Sequence, residues 1–394
     1  MAFVPKAYIL TNKVQRYEWG ERGESAFIAK LLGMRGVGDN TPLAEMWVGT
    51  HPLGTSELNY GGKRVLLSDL VQRYPVEILG KRVASTFVSQ LPFLLKVLSA
   101  NEPLSIQLHP SKSQAVALHV SDPTHYPDSN HKPEIAIALE RLHALAGLRD
   151  VRQIEALLAE HPALCDFVAL QDFVTQPRSK HPKLAFRALL RHALKKPDEM
   201  AQVIEQVAAG LHKKARLSYR EKLFLEMKTK YPKDVGLLAI FFLKLHSLGK
   251  GQAMFIPAGV PHAYLKGNIV ECMASSDNVI RAGLTPKFND IPALLDVVTD
   301  RPVILYSPDT PNYVYPAPVR EFRLAKFELG GGQTREENSE SVQVFLVLAG
   351  RTNISWQDGA LEAKRGQVVL APASLGAVQI ESLEACEIYK VDVP

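Results

Sequence analysis

The chain has 394 residues, 46% of them hydrophobic, and a formal net charge of +5, which is length enough for two or three buried cores. It contains no apolar run of about 18 residues, so no membrane span is expected, and its basic residues are interleaved with acidic ones without the aromatic-flanked patch that a nucleic-acid partner requires. Cys165, Cys272 and Cys386 are too scattered for a disulfide framework or a paired-cysteine metal site, and the opening MAFVPKAYILTNKVQRYEWG has no basic segment ahead of a continuous apolar one; the expectation is a soluble protein of the reducing cytoplasm.

Residues 1–100 read as short strands punctuated by Gly and Pro, in stretches such as YILTNKVQRYEW, AEMWVGTHPLG and PVEILG. Helices are expected over 24–32, closed by Gly33, and over 66–74. Trp19, Glu45 and Trp47 stand out, but a tryptophan in such a setting belongs more often to a core or a cavity wall than to chemistry. The run FLLKVL places Lys96 among apolar residues, where its ammonium either reaches back to solvent or faces a polar cavity that holds an anion.

The next stretch, PLSIQLHPSKSQAVALHVSDPTHYPDSNHKPE at 103–134, is where chemistry concentrates. Residues two apart on a strand share a face, so Gln107 and His109 can converge on one point. A short helix is expected after Pro110, with Ser111 as its cap, and Glu134 opens another strand. From about 150 to about 230 the alternation gives way to apolar residues at helical intervals, in VRQIEALLAEHPAL, KLAFRALLRHALKK and PDEMAQVIEQVAAGLHKK. Pro197 followed by Asp198 and Glu199 marks a helix start, and Gly210 a weak point near its end. Strand character returns near Asp234, although GLLAIFFLKLHSL is also compatible with a helix under the returning sheet.

The run GQAMFIPAGVPH at 251–262 reads as strand, tight turn, strand, with Gly and Pro shaping the turn and His262 free to point inward. Gln107, His109, Glu134 and His262 then make a mixed nitrogen and oxygen set that suits zinc or a similar divalent ion and leaves a position for water or substrate. Taken singly, His109 or His262 would more often be a packed histidine; the set is what points to a metal. His119, His125 and His143 lack such company and are assigned to surface or packing. The last stretch of about 80 residues alternates in short segments joined at Gly, Asp and Asn, the pattern of an all-β sandwich or jelly roll. Within it Gly366 and Pro372 repeat the spacing of Gly251 and Pro257, while Ser374 and Ala377 stand at the Gly259 and His262 positions. That is a copy that kept the turn without the metal ligand.

Here the chain resembles a family. The segments QLHPSKSQA (107–115), YPDSNHKPE (126–134), GQAMFIPAGVPHAY (251–264) and VECMASSDNVIRAGLTPKF (270–288), in that order and joined by PLAEMWVGTHPLG at 42–54, closely resemble type I phosphomannose isomerases. The resemblance implies a mainly β fold of two cupin-type jelly-roll β-barrel domains with an inserted all-helical domain. Its divisions would be 1–150 for the first part of the catalytic cupin domain, 151–230 for the helical insertion, 231–310 for the second catalytic part and 311–394 for a C-terminal cupin-like domain without a metal site.

By the same resemblance Gln107, His109, Glu134 and His262 would hold one Zn2+ per chain. Arg281, Lys132, His131, Glu271 and Asp277 would be catalytic, and Ser105, Lys96 and Lys287 would bind substrate. The reaction implied is the reversible aldose–ketose isomerisation of D-mannose 6-phosphate to D-fructose 6-phosphate through an enediol(ate), carried out by a monomer or, as the alternative, a homodimer. Which group moves the proton stays open between the His131/Lys132 pair and the carboxylates. Against these roles, Arg281 could brace the sheet through an ion pair, Glu134 could pair with a surface lysine, and Lys132 could be a solvated neighbour. Two rival classes are another metal cupin enzyme, such as a sugar-phosphate epimerase or a dioxygenase, and a non-catalytic sugar-binding protein. Dioxygenases usually hold iron mainly through histidines, and a binding module has no use for a proton-transfer set.

Overall fold

The computed structural model describes residues 3–169, 176–338 and 340–394, so positions 170–175 of the expected helical block lie outside the described residues. In chain order the strands that frame the site are β1 (Tyr8–Leu10), β2 (Lys13–Gln15), β3 (Glu45–Val48), β4 (Phe93–Ala100), β5 (Ile106–Leu108) and β6 (Glu134–Ala138). They continue as β7 (Leu142–Leu148), β8 (Leu243–Leu248), β9 (Ala253–Ile256), β10 (His262–Ala274), β11 (Ile280–Gly283) and β12 (Ile304–Tyr306). All but β1 belong to one 11-stranded sheet whose main path runs β12-β9-β6-β10-β4-β3-β2. The central strands β4 (FLLKVLSA) and β6 (EIAIA) are buried along their whole length, which is why both read as near-continuous apolar runs interrupted only by residues with a polar task.

The 13-residue strand β10 organises this sheet. Its first residues pair with β7 and, at His262, with β5; from Gly267 onward it pairs with β4, and from Ile269 with β6. The sheet therefore forks along β10. This corrects the expectation of jelly-roll barrels: the protein is a mixed α/β fold of several sheets and helices, and no sheet among the described residues closes on itself. Alternation reports that each strand has a buried face, but closure depends on hydrogen bonds between the first and last strands of a sheet. Nothing in a local pattern encodes those bonds.

The C-terminal strands form a six-stranded sheet and a four-stranded sheet, both open. Phe327, Phe345, Val369 and Ile388 from the first meet Ile354, Ala363, Val378 and Ile380 from the second in one core. The six-stranded sheet has β1 at its edge, with Tyr8 opposite Leu370. The first strand of the chain thus seals the last sheet, and a core shared by Tyr8, Met46, Val97, Val344 and Leu370 joins the two ends of the sequence. The repeat noted above has a structural counterpart, since Gly251 and Gly366 take φ of 79° and 82° and each leads into a strand that ends before Pro257 or Pro372.

The expected helices over 24–32 and 66–74 are Phe27–Leu32, closed by Gly33 in the left-handed conformation, and Leu67–Arg73. Ser111 caps Lys112–Ser121 in a capping box with Gln114. The described helices of the inserted block are Val151–Glu160, Pro162–Val168, His181–Lys195, Pro197–His212 and Tyr219–Lys230. Their apolar faces share a core with Ile106, Leu108, Ala263 and Ile280, so the block is fixed to the strands that adjoin or contain His109, His262 and Arg281. The ambiguous GLLAIFFLKLHSL divides into a single helical turn, Gly236–Ala239, followed by β8. Among the described residues no helix is long and apolar enough to cross a membrane.

Candidate metal centre

Glu134 begins β6, and the side chains of His109, Glu134 and His262 offer ligand atoms that all lie within 4.8 Å of one another. Each is almost fully buried. The histidine Nε2 atoms face the carboxylate, His262 at 2.9 Å from Oε1 and His109 at 3.3 Å from Oε2. Their other nitrogens settle the tautomers. His109 Nδ1 donates to the Asn278 carbonyl at 2.8 Å, and His262 Nδ1 donates to the Val260 carbonyl at 2.9 Å; a carbonyl can only accept, so each Nδ1 carries hydrogen.

In the neutral imidazoles both Nε2 atoms are consequently lone pairs. Neither has a hydrogen-bond partner, and both point at a carboxylate. Acceptor facing acceptor in a buried site is repulsive unless a cation lies between them. At His109 a proton is a poor candidate for that cation at neutral pH, because burial together with nearby Lys132 pushes this imidazole down to about 4. Burial opposes ionisation of Glu134, and its carboxyl falls well below the usual range only through positive charge on the histidine side of the cluster, which a metal ion would supply once the imidazoles are neutral. Two imidazole nitrogens with carbonyl-anchored second nitrogens, plus one carboxylate, are the donor set of a zinc site.

The local chain explains the aim of each ligand. The Gly259 N–H donates to the His109 carbonyl at 2.8 Å, so the 257–259 turn grips one ligand strand while presenting His262 from the other. Gly259 has φ +79, and a Cβ there would lie 2.6 Å from the Val297 carbonyl oxygen, which restricts the position to glycine. Gln107 sits directly opposite both His262 and Arg281 in the ladders of β5 with β10 and β11. Ser105 Oγ approaches Gln107 Oε1 at 3.4 Å.

Comparison with known proteins fits this geometry. Residues 8–151 match the family model "Phosphomannose isomerase type I, catalytic domain". The chain is 36% identical to mannose-6-phosphate isomerase of Bos taurus, covering 94% of each protein, and 36% identical to that of Homo sapiens over 88% of each. The chain belongs to the type I phosphomannose isomerase family. Among solved structures, a mutant phosphomannose isomerase from Salmonella typhimurium superposes with a TM-score of 0.85 at 30% identity over 98% of this chain and 99% of that one. A mannose 6-phosphate isomerase bound with zinc and yttrium superposes with a TM-score of 0.83 at 29% identity over 98% and 99%. The His109, Glu134 and His262 cluster of this family member matches a zinc centre of that kind.

Around the cluster lies a second ring of charge. Glu271 is directly opposite Lys96 in the β4–β10 ladder, and Lys96 Nζ stands 3.6 Å from Glu271 and 3.2 Å from Glu45. Burial alone would push the lysine down, but Glu45 and Glu271 together raise it. One ammonium does not satisfy both carboxylates: burial, with Glu134 nearby, pushes Glu271 up to about 7. Tyr264, two residues beyond His262 on the same face of β10, donates to Glu271 at 2.9 Å and lies 3.3 Å from Glu134. Lys132 is buried without an ion pair among the described residues, and burial followed by repulsion from Lys96 lowers it.

The other expected site residues divide in placement. Asp277 pairs with His51 Nε2 at 3.0 Å, and its N–H donates to Asp128. Arg281 and Lys287 are half-buried and exposed, and both are pushed down, first by burial and in Lys287 also by Arg281. His131 is turned to Glu321, 2.7 Å away, so its imidazole is engaged with the C-terminal part of the chain. Sequence reasoning passed over Tyr264, His51, Asp128 and Asn278. Tyr264 was reachable from the two-residue period after His262, whereas the contacts of Asp128 with Ser276, Asp277 and Asn278 span about 150 residues and leave no local trace.

Proposed function

We propose a division of labour at this site for the reversible isomerisation of D-mannose 6-phosphate and D-fructose 6-phosphate, the reaction of the family to which the chain belongs. The observation that carries it is the pair of buried, unpartnered Nε2 atoms aimed at Glu134. His109, Glu134 and His262, with Gln107 as a further ligand, would hold zinc. When bound, zinc supplies electrostatic stabilisation of the charge that develops on the sugar oxygens at C1 and C2.

The chain's own residues do the remaining work. Arg281 supports the same developing negative charge from the neighbouring strand. The proton between C1 and C2 requires a group that titrates near neutrality, and two buried groups are shifted in that direction: Lys132 downward and Glu271 upward to about 7. Asp277, held ionised by its hydrogen bond from His51 against the effect of burial, serves ring opening, while His131, bonded to Glu321, ties the loop before Glu134 to the C-terminal part of the chain. Ser105 and Lys287 anchor the phosphate through hydrogen bonds and charge, with Lys96 committed to orienting Glu271. The segments 1–150 and 231–310 act as the catalytic unit, 151–230 as a helical wall beside the cleft, and 311–394 as structural support. The three cysteines are unpaired, which supports a cytoplasmic enzyme, and we read it as a monomer.

The test is a coupled isomerase assay on protein stripped of metal by a chelator, before and after zinc is returned. Activity should vanish and recover. Full activity of verified metal-free protein would end this reading.

A further inference from the structure

Asp234 stands where the helical block returns to the sheet, between the helix Tyr219–Lys230 and the single turn Gly236–Ala239. Its Oδ1 accepts the N–H of Gly236 at 2.6 Å and, across a gap of 50 residues in sequence, the N–H of Leu284 at 3.0 Å. The Thr285 N–H reaches the same carboxylate. Leu284 follows β11 with φ +56, a left-handed conformation that a leucine adopts only where its surroundings impose it. The junction is backbone against backbone, for a Cβ on Gly283 would lie 2.2 Å from Asp234 Oδ1 and 2.5 Å from the Gly236 nitrogen.

This clasp sits between two residues of the site. Arg281 precedes Gly283 by two positions, and Lys287 follows Leu284 by three. The β5–β11 ladder pairs Arg281 with Gln107 and Gly283 with Ile106, leaving a register irregularity between them. Such an irregularity re-aims the side chains beside it and weakens the sheet's own hold on the turn that follows. Beyond it the Lys287 N–H bonds to Thr285 Oγ1 at 3.1 Å, so the direction of Lys287 depends on how Thr285 is held.

We infer that Asp234 is a positioning residue for the isomerisation: its carboxylate clasps the 283–285 turn and thereby sets the aim of Arg281 and Lys287 toward the substrate. This rests on the roles given to Arg281 and Lys287 above. The proposal also gives the end of the helical block a task at the site, since Asp234 belongs to the block's exit and not to the sheet.

The experiment compares Asp234→Ala, Asp234→Asn, Arg281→Ala, Lys287→Ala and the Asp234→Ala/Arg281→Ala double variant, all zinc-loaded. It measures kcat and KM for mannose 6-phosphate, bound zinc, and hydrogen exchange at the Leu284 amide. Asp234→Ala should lose about 10- to 100-fold in kcat/KM, as a misplacement near the chemistry does, with full zinc content and faster exchange at Leu284. Asp234→Asn keeps an acceptor oxygen in place and should recover most of the loss. In the double variant the Asp234 change should cost less than it does alone, because the part of its effect exerted through Arg281 is already gone and only the part exerted through Lys287 remains. Unchanged kcat/KM in Asp234→Ala, or losses that multiply in full in the double variant, would overturn the inference. Should Asp234→Ala not fold, Asp234→Ser, whose shorter hydroxyl does not span to Leu284, takes its place under the same criteria. Full activity of both Arg281→Ala and Lys287→Ala would remove the reading of the site first and the inference with it, and the single variants alone reveal that failure.

Discussion

Lys96 and Glu271 face each other across the β4–β10 ladder with 3.6 Å between ammonium and carboxylate, and Glu45 closes on the same ammonium at 3.2 Å. Trp47 donates its indole N–H to Glu45 and places its ring 4.9 Å from the lysine nitrogen. One cation therefore holds two buried carboxylates together beneath the metal cluster. Replacing Lys96 with Met keeps the stem and removes the charge, leaving Glu45 and Glu271 to repel in a low-dielectric site. Breaking a buried pair in this way costs about 3–5 kcal/mol, and urea unfolding at neutral pH should show a loss of that order. A change under about 1 kcal/mol would mean that Glu271, already pushed up to about 7, takes up a proton and relieves the repulsion without the lysine.

Glu271 also makes the metal-free protein sensitive to pH. Burial, and then Glu134, raise its carboxyl from 4.5 to about 7 in the folded chain, so the folded state binds this proton more tightly than the unfolded one. Its contribution to stability is fully present below about pH 4.5 and is lost as pH rises through about 7. Glu271→Gln should remove that dependence. The check is thermal unfolding of chelator-treated protein from pH 4.5 to 8: the difference between the unaltered chain and Glu271→Gln should move against the unaltered chain as pH increases. A difference that stays flat over this window would show that Glu271 keeps an ordinary carboxyl.

The contrast between these groups and the metal ligands shows what a sequence carries. Gln107 and His109 share a strand face two residues apart, and Ser111, Glu134 and the 251–262 turn each sit in local patterns that spell their structure. The helical block and the strand-rich ends were legible from periodicity for the same reason. The missing pieces are all non-local. β1 crosses the molecule to pair with Val368–Ala371, the sheet forks along β10 instead of closing, and Asp128 holds the 276–278 loop from about 150 residues away. Alternation fixes which face of a strand is buried but not which strand lies beside it. His131 illustrates the limit at the level of one side chain: its neighbours in sequence are site residues, while its imidazole is bonded to Glu321.

Gln107 tests the metal centre from the side that the histidine and carboxylate cluster does not cover. It lies opposite His262 in one ladder and opposite Arg281 in the other, between the metal ligands and the cationic group assigned to the substrate. Gln107→Ala should reduce bound zinc and isomerase activity together, by about 10- to 100-fold in metal affinity if it acts as a ligand or orients one. Metal analysis after dialysis against a weak chelator, alongside the coupled assay, measures both. A variant that keeps its zinc and its turnover would withdraw Gln107 from the ligand set.

His51 holds Asp277 in a definite orientation. The Leu53 N–H donates to His51 Nδ1 at 3.2 Å, which makes Nδ1 the acceptor and leaves Nε2–H to donate to Asp277 Oδ2 at 3.0 Å. Burial works to raise the Asp277 carboxyl, and this hydrogen bond is the largest of the effects that bring it below the usual value. In His51→Leu the opposing effect goes and that of burial stays, so Asp277 should hold its proton to higher pH. The acid limb of kcat/KM should move upward in pH accordingly. At neutral pH the loss in kcat should be about tenfold, short of the roughly 100-fold or more expected from removing a proton-transferring group itself. His51→Gln, whose side-chain amide can still donate, should restore much of the rate. If His51→Leu lowers activity with no shift of the acid limb, His51 supports the fold around Trp47 and not the ionisation of Asp277.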